Sequence, residues 1–370
     1  MRARSIVSLS VLALILPLVA LHNHIHNLLE IGRTYSTFRS YLRKNEHVLF
    51  RYPASEKRVD DIALSEPVPK IIHQIFLSSG RPNSTLSKYT PAIESCKELH
   101  PGWDTKIWTD EQGEEFMAKH YPEIHPLYCG YRQNIQRANI LRYALLHHFG
   151  GVYLDLDVTC RVALDTPLAQ DSTVPTLTHL PWLTPGAYPA GVNNAFILAR
   201  PQHPFLAELL DRVPSRDLSW GMPYVENMLS TGCMFFSNVW MSFVLSSRGR
   251  DAPKEDRVYV LADEHGAMEP QMLRGKIVTP LFEHGGASSW HGWDAAAIVL
   301  IGKHYGYFTI ALGLLMTMVA VGIWKLFRQR KRNQHRRRGS WRSFTGAIRR
   351  LGSEKQHDAG HEEVGLMKDG

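Results

Sequence analysis

Residues 134–160 constrain the fold more than any other stretch of the chain. "NIQRANILRYALLHHFGG" brings Ile140, Leu141, Ala144, Leu145 and His148 round at helical spacing, and the glycine pair Gly150–Gly151 then releases the chain into a strand. In "GVYLDLDV" the side chains alternate. Val152, Leu154, Leu156 and Val158 are expected to face the core, and Tyr153, Asp155 and Asp157 the other side. Two carboxylates held side by side oppose each other's ionisation. Either they form an exposed or salt-bridged pair, or a divalent cation sits on them. They end an otherwise apolar strand, where ligand sites of α/β sheets collect. A hard, oxygen-liganded ion such as Mn²⁺ or Mg²⁺ therefore suits Asp155 and Asp157, and it could bridge them to the phosphates of a nucleotide.

The surrounding sequence alternates in the same way. A strand is expected in "VPKIIHQIF" (68–76), a helix near 88–100 and a strand in "WDTKIWTD" (103–110). Later strands are expected in "AGVNNAFILARP" and "KIVTPLFEHGG". The class is α/β. The chain has 370 residues, 44% hydrophobic and 21% charged, and there is no internal repeat: it folds, as one large domain or two small ones. Its four cysteines (Cys96, Cys129, Cys160, Cys233) contain no CxxC pair, hence no zinc or thioredoxin-like signature, and leave both disulfides and unpaired core thiols open.

Two apolar runs bracket this region. Residues 5–21 are uncharged and follow Arg2 and Arg4, as in a signal peptide or a short signal anchor; the absence of a clean A-x-A cleavage pattern favours the anchor. Residues 305–324 are uncharged, flanked by aromatics and followed by "KLFRQRKRNQHRRR", as in a transmembrane helix with a cytosolic flank. The expected organisation is a cytosolic N-terminus (1–4), the anchor (5–21), a lumenal stem (22–65), a catalytic domain (66–294), a juxtamembrane segment (295–304), the second span (305–324) and a basic cytosolic tail (325–370). A sequon, Asn83-Ser84-Thr85, agrees with a lumenal middle. "HNHIH" (22–26) lies beside a span without acidic partners and reads as interfacial. From Lys325 onward thirteen basic residues face five acidic ones, so the net charge of +7 belongs to the tail. The main domain has no basic surface for nucleic acid.

The ordered set "PKIIHQIF", "RANILRYALLHHFGGVYLDLDV", "NNAFILARPQHPF", "TGCMFFS" and "HGGASSWHGWD" resembles the DXD sugar transferases of glycosyltransferase family 32. Within it, the chain looks most like the fungal mannosyltransferases acting on inositol phosphorylceramide. The resemblance spans roughly residues 66–294, and a second span after the catalytic domain also fits that subgroup.

It implies a GT-A-type nucleotide-sugar transferase domain: a Rossmann-like mixed sheet with helices on both faces, flanked here by two transmembrane helices. GDP-mannose would be the donor, Mn²⁺ or Mg²⁺ the cofactor, and transfer would be retaining. Asp155 would face the donor's ribose and sugar, and Asp157 would bind the metal. Ile72, Gln74 and Phe76 would line the base and ribose pocket, with Phe76 where many members have tryptophan. Arg142 would contact donor sugar or phosphate. Asn139 departs from the aspartate common at its position, yet can still hydrogen-bond sugar hydroxyls. His291 would complete the metal or diphosphate site, with Ser289 and Trp290 on the diphosphate. Asn193 and Asn194 would orient hydroxyls where donor meets acceptor. The partners implied are the sphingolipid acceptor and a regulatory membrane subunit; the location is the Golgi membrane, with the endoplasmic reticulum as the alternative. Transfer to protein-linked glycans, or a membrane scaffold with a decayed site, are the competing readings.

Overall fold

The computed structural model describes residues 19, 21–42, 49–52, 67–78, 83–169, 176–179, 182–185, 191–246, 256–262, 277–279, 281–285 and 292–329. Among the described residues the first elements are helix α1 (His22–Leu42) and strand β1 (Leu49–Arg51). Next come β2 (Ile71–Ile75), α2 (Thr90–Leu99), β3 (Asp104–Trp108), α3 (Asp110–His120), α4 (His125–Gly130) and α5 (Asn134–Phe149). The middle holds β4 (Gly151–Leu154), β5 (Val158–Cys160), β6 (Trp182–Pro185), β7 (Val192–Ala199), α6 (Pro204–Arg212), α7 (Pro223–Ser230) and α8 (Cys233–Leu245). Then follow β8 (Tyr259–Ala262), β9 (Ile277–Val278), β10 (Phe282–His284) and α9 (Trp293–Lys303), with α10 (Tyr305–Gln329) last.

Seven strands form one mixed sheet in the order β1-β8-β6-β7-β4-β2-β3. Only β7 runs antiparallel to its neighbours β4 and β6; every other pairing is parallel. A smaller sheet, β5-β10-β9, is antiparallel. The α/β class is as expected, and so are the strands at 71–75, 104–108 and 192–199 and the helix at 134–149.

Both faces of the large sheet are buried. Helices α3, α5, α6 and α8 cover one face with Met117, Leu141, Leu145, Phe205, Phe236 and Trp240, packed against Tyr153, Ile197 and Val260. The other face joins Ile72, Val152, Leu154 and Phe196 to Cys96, Val158, Cys160 and Phe282. The side chains of β4 alternate as expected, but Tyr153 is core too, at 2% exposure. A strand buried on both faces reads as continuously apolar.

The glycine pair is demanded by space as well as by conformation. Gly150 has φ +66° and Gly151 φ +98°. A Cβ on Gly151 would lie 2.5 Å from the carbonyl oxygen of Ile71, on the adjacent β2. Only glycine lets α5 turn straight into the sheet. Across this corner His73 Nε2 donates to Gly150 O (3.0 Å) and its Nδ1 accepts the Trp108 indole N–H (3.2 Å). Burial, the main cause, lowers its pKa to about 4. The neutral tautomer with a proton on Nε2 satisfies both bonds.

The domain boundary expected at residue 66 falls too late. Strand β1 pairs with β8 through Leu49–Val260 and Arg51–Ala262, so the sheet recruits residues from the presumed stem. Helix α1 is docked as well. Glu30 bridges Arg216 (2.6 Å) and Arg212 (3.6 Å), buried Asn27 accepts from Arg216, and His24 Nε2 bonds Ser219 O (2.9 Å). A disulfide, Cys96–Cys160, ties α2 to β5. Closing a 64-residue separation is worth about 4 kcal/mol by restriction of the unfolded chain. Cys129 and Cys233 are free.

The chain divides into two units, Met1–Val299 and Leu300–Gly370. In the second, Tyr305–Gln329 is 25 residues long, contains an 18-residue stretch of mean hydropathy 2.0 and is exposed throughout. By length and composition it can cross a membrane, and it contains the expected 305–324 span. Pro223–Leu245 has comparable length and apolarity but is mostly core. Residues 5–18 and 330–370 lie outside the described residues.

Two outcomes follow. Gly151→Ala should destabilise the fold by about 2 kcal/mol or more, read as a lower unfolding midpoint of the purified chain. His73 and His203, with pKa values lowered to about 4 and about 3 chiefly by burial, stay neutral when folded but protonate near 6.5 when unfolded. Stability should therefore be full above pH 6.5 and fall as pH drops towards 4. A His203→Asn variant should show a shallower decline in the same melting series.

Candidate active site

Strand β4 stops at Leu154; Asp155, Leu156 and Asp157 form a turn leading into β5 of the small sheet. The aspartates are therefore not brought together by strand alternation, as the sequence pattern suggests. Backbone bonds shape the turn: Asp155 N–H donates to Ala195 O (3.0 Å), Val158 N–H to Asp155 O (3.2 Å) and Gly285 N–H to Asp157 O (2.9 Å). The chain leaves one sheet and enters another within three residues, and both carboxylates end up at the junction.

Strand pairing brings the third member. β10 pairs with β5 so that His284 lies opposite Val158, next to Asp157. Phe282, fully buried, anchors β10 by stacking on Phe196 at 4.3 Å. His284 Nε2 then stands 3.1 Å from Asp157 Oδ1 and 3.8 Å from Asp155 Oδ2. Burial works against protonation of His284, but the hydrogen bond to Asp157 and the charges of Asp155 and Asp157 outweigh it and raise its pKa. Donor atoms of Asp155, Asp157 and His284 all lie within 4.8 Å of one another. Two carboxylates and one imidazole form a donor set suited to a divalent cation such as Mn²⁺.

Arg142 supplies the fixed charge. From α5 its Nη1 donates to Asp155 Oδ1 (3.1 Å) and to Asn194 O (2.8 Å), and its guanidinium lies 4.4 Å from the centre of the Tyr153 ring. The Tyr153 hydroxyl donates to the same Asp155 oxygen (2.8 Å). Burial acts to lower the Arg142 pKa, yet Tyr153 and Asp155 outweigh it and raise the value. At 2% exposure this guanidinium is engaged with Asp155 and the backbone. Its contacts within the chain hold the Asp155 carboxylate in place.

The amides form a network beneath. Asn194 Nδ2 donates to Asn139 Oδ1 (3.1 Å) and Tyr143 Oη (2.9 Å), while its Oδ1 accepts from the Cys233 thiol (3.0 Å). Asn139 Nδ2 donates to Asn227 Oδ1 (2.9 Å) and Thr231 Oγ1 (3.2 Å). Aspartate could not donate these last two bonds, so the amide at 139 matches its surroundings. Asn193 instead accepts from Ala195 N–H (2.8 Å) and shapes the β7 backbone.

The β2 residues separate. Ile72 is wholly buried in the core, because strand alternation points it between the sheet and α2, and it does not line an open pocket. Phe76 is half-buried beyond the strand end. Gln74 is 1% exposed, and neither amide atom finds a hydrogen-bond partner among the described residues. Such a group costs about 1–3 kcal/mol unless a partner supplies the bonds. Ser289, Trp290 and His291 lie outside the described residues. A cleft of about 350 Å³ between β3 and α3, lined by Lys106, Trp108, Phe116, Lys119 and His120, contains none of the expected site residues.

His284 is the member that sequence reasoning passed over in favour of His291. Its signal was local: it ends the strand in "KIVTPLFEHGG", and a strand end is where a ligand group can meet another strand end.

A mixed α/β sheet with an aspartate pair at a strand tip has the form of a DXD sugar transferase. Residues 87–174 match the family described as "Glycosyltransferase sugar-binding region containing DXD motif". The chain is 32% identical over 290 residues to inositol phosphoceramide mannosyltransferase 3 of Schizosaccharomyces pombe, covering 76% of this chain and 74% of the relative. It is 31% identical to inositol phosphoceramide mannosyltransferase 2 of the same yeast (68% and 67% covered). To mannosyl phosphorylinositol ceramide synthase SUR1 of Saccharomyces cerevisiae it is 32% identical (64% and 55% covered). Among solved structures it is similar to PaToxG glycosyltransferase at 15% identity and a TM-score of 0.38, covering 60% of this chain and 80% of that one, too distant to argue from. The chain belongs to the DXD glycosyltransferase family, alongside the fungal inositol phosphoceramide mannosyltransferases, and is an enzyme of that class. Enzymes of this family generally use a divalent metal and a nucleotide sugar.

Removing Arg142 would leave the Asp155 carboxylate without its counter-charge. Arg142→Met should cost about 3 kcal/mol of stability. Thermal melting with and without Asp155→Asn added should show the second change recovering part of that loss.

Proposed function

We propose that the chain transfers mannose from GDP-mannose to the inositol headgroup of inositol phosphorylceramide, with retention at the anomeric carbon, as a step of sphingolipid biosynthesis. The observation that carries this reading is the convergence of Asp155, Asp157 and His284 in a chain whose relatives bear that activity in their names. The domain is read as GT-A, seated on the lumenal side of the Golgi membrane between an anchor at 5–21 and the span within 305–329. Both tethers keep the cleft near a headgroup whose acyl chains stay in the bilayer, which raises its effective concentration. The spans are also where a regulatory membrane subunit would dock.

Asp157, Asp155 and His284 would hold the Mn²⁺ or Mg²⁺, with His291 as a further ligand from the late loop. When bound, the cation offsets the negative charge that develops on the departing GDP. The chain's own groups do the rest. Arg142 and the Tyr153 hydroxyl fix one oxygen of Asp155, so that its other oxygen keeps a set direction. Gln74 offers an amide with unspent donors and an acceptor to the nucleoside, and Phe76 an aromatic face. Asn194, read from the sequence as orienting sugar hydroxyls, has its amide donors on Asn139 and Tyr143 and its oxygen on Cys233, so it supports the site from beneath, with its backbone carbonyl holding Arg142. Ser289 and Trp290 would close on the diphosphate. Among the described residues no unpaired carboxylate stands in the site as a nucleophile. We read the transfer as same-face attack, in which the donor's phosphate oxygen takes the acceptor's proton.

Microsomes containing the chain should convert labelled GDP-mannose and inositol phosphorylceramide to the mannosylated lipid in the presence of Mn²⁺, and lose at least about 100-fold of that rate with Asp157→Ala. Transfer to soluble oligosaccharides with none to the lipid would move the function to protein-linked glycans. A chain that folds but does not bind GDP with Mn²⁺ would be the decayed scaffold.

A further inference from the structure

A second cluster of metal-binding groups lies away from the aspartate turn, on helices the transfer reaction does not use. Glu114 projects from α3, and His125 and Cys129 from α4, one helical turn apart. Cys129 Sγ and His125 Nε2 are 3.2 Å apart, and the donor atoms of all three residues lie within 4.8 Å of one another. We propose that Glu114, His125 and Cys129 form a zinc site that fastens α3 to α4.

The geometry is close to what that ion requires. Zinc sits about 2.3 Å from thiolate sulfur and about 2.0 Å from imidazole nitrogen, so a tetrahedral site separates the two donors by about 3.5 Å. The observed pair is near that value without any rearrangement. The groups are held there by buried neighbours. Met117 is wholly buried one turn after Glu114, and Ile124 and Tyr128, at 5% and 1% exposure, flank His125 and Cys129. The amide N–H groups of Ile124 and His125 both bond to Tyr121 O, at 3.0 and 2.9 Å, which sets the angle between the helices.

Chemistry separates this site from the first. Asp155 and Asp157 present hard oxygens, whereas thiol, imidazole and carboxylate together are a borderline-soft set that selects zinc over Mn²⁺ or Mg²⁺. Binding would release the Cys129 proton. Glu114 and Cys129 are exposed and His125 partly so, which gives an ion access and leaves a fourth position for water. The absence of a CxxC pair does not bear on this, because the ligands come from two helices.

The test uses the full-length chain purified in detergent, with Asp157→Ala introduced so that the first cluster cannot contribute. After incubation with zinc and gel filtration, elemental analysis should find one zinc per chain, and Co²⁺ substitution should produce a thiolate-to-cobalt charge-transfer band. Adding Cys129→Ser, or separately His125→Gln, should remove both signals. Zinc at saturation should raise the unfolding midpoint by about 5 °C in the parent and not in the Cys129→Ser chain, which shows that this variant still folds. Zinc retained after both substitutions, or none in the Asp157→Ala parent, overturns the proposal. A Cys129-dependent disulfide-linked dimer on a non-reducing gel overturns it too, by giving the thiol another partner. None of these readouts depends on sugar transfer, so the proposed activity can fail while this site stands.

Discussion

Two negative charges at the end of a buried strand have to be compensated, and much of this structure is arranged around how. Asp155 is answered by Arg142, which reaches it from the preceding helix across the face of Tyr153. Asp157 is answered by His284, which arrives more than a hundred residues later on another sheet. The two answers differ in kind. Arginine keeps its charge at any working pH and is enclosed, so the Asp155 pairing is permanent. Histidine can give up its proton and become a neutral ligand, so the charge it contributes is exchangeable for that of a metal. A site with one fixed and one replaceable cation is a reasonable way to hold a carboxylate pair ready for a divalent ion.

The scaffold serves that junction. The large sheet delivers Asp155 at the tip of β4, the small sheet delivers His284 at the tip of β10, and the turn between β4 and β5 belongs to both. Each neighbour of the turn is pinned: β5 by the disulfide to α2, β10 by the Phe196–Phe282 stack, α5 by the close approach of Gly151 to β2. Helix α1, docked through Glu30 and Asn27 onto Arg212 and Arg216, makes the N-terminal segment part of the same body. Whatever holds the start of α1 also orients the domain.

Beneath the charged layer lies an uncharged one. Asn139, Asn194, Asn227, Thr231, Tyr143 and Cys233 exchange hydrogen bonds in a buried, continuous set. Such a network is costly when incomplete and rigid when complete. Asn139 is at home here because an amide both donates and accepts. An amide rather than the aspartate expected from the family resemblance is thus accommodated by its partners, and Arg142 has Asp155 as its carboxylate.

Much of this was open to reading before any coordinates. The helix–glycine–strand run, the aspartate pair, the α/β class and the later strands are local patterns, set by periodicity and by what glycine alone permits. The apolar run near the C-terminus is local too, and the structure keeps it helical. What sequence could not decide is which distant segments meet. Residues 49–51 look like linker until β8 pairs with them; Ile72 looks like a pocket wall until the sheet closes over it; His284 and His291 are indistinguishable until β10 takes its register beside β5. The Cys96–Cys160 pairing and the meeting of Glu114 with His125 and Cys129 belong to the same class. Residue type and spacing report the short-range preferences of the backbone, whereas charge compensation and ligand sets depend on contacts across the fold, and only packing in three dimensions selects those.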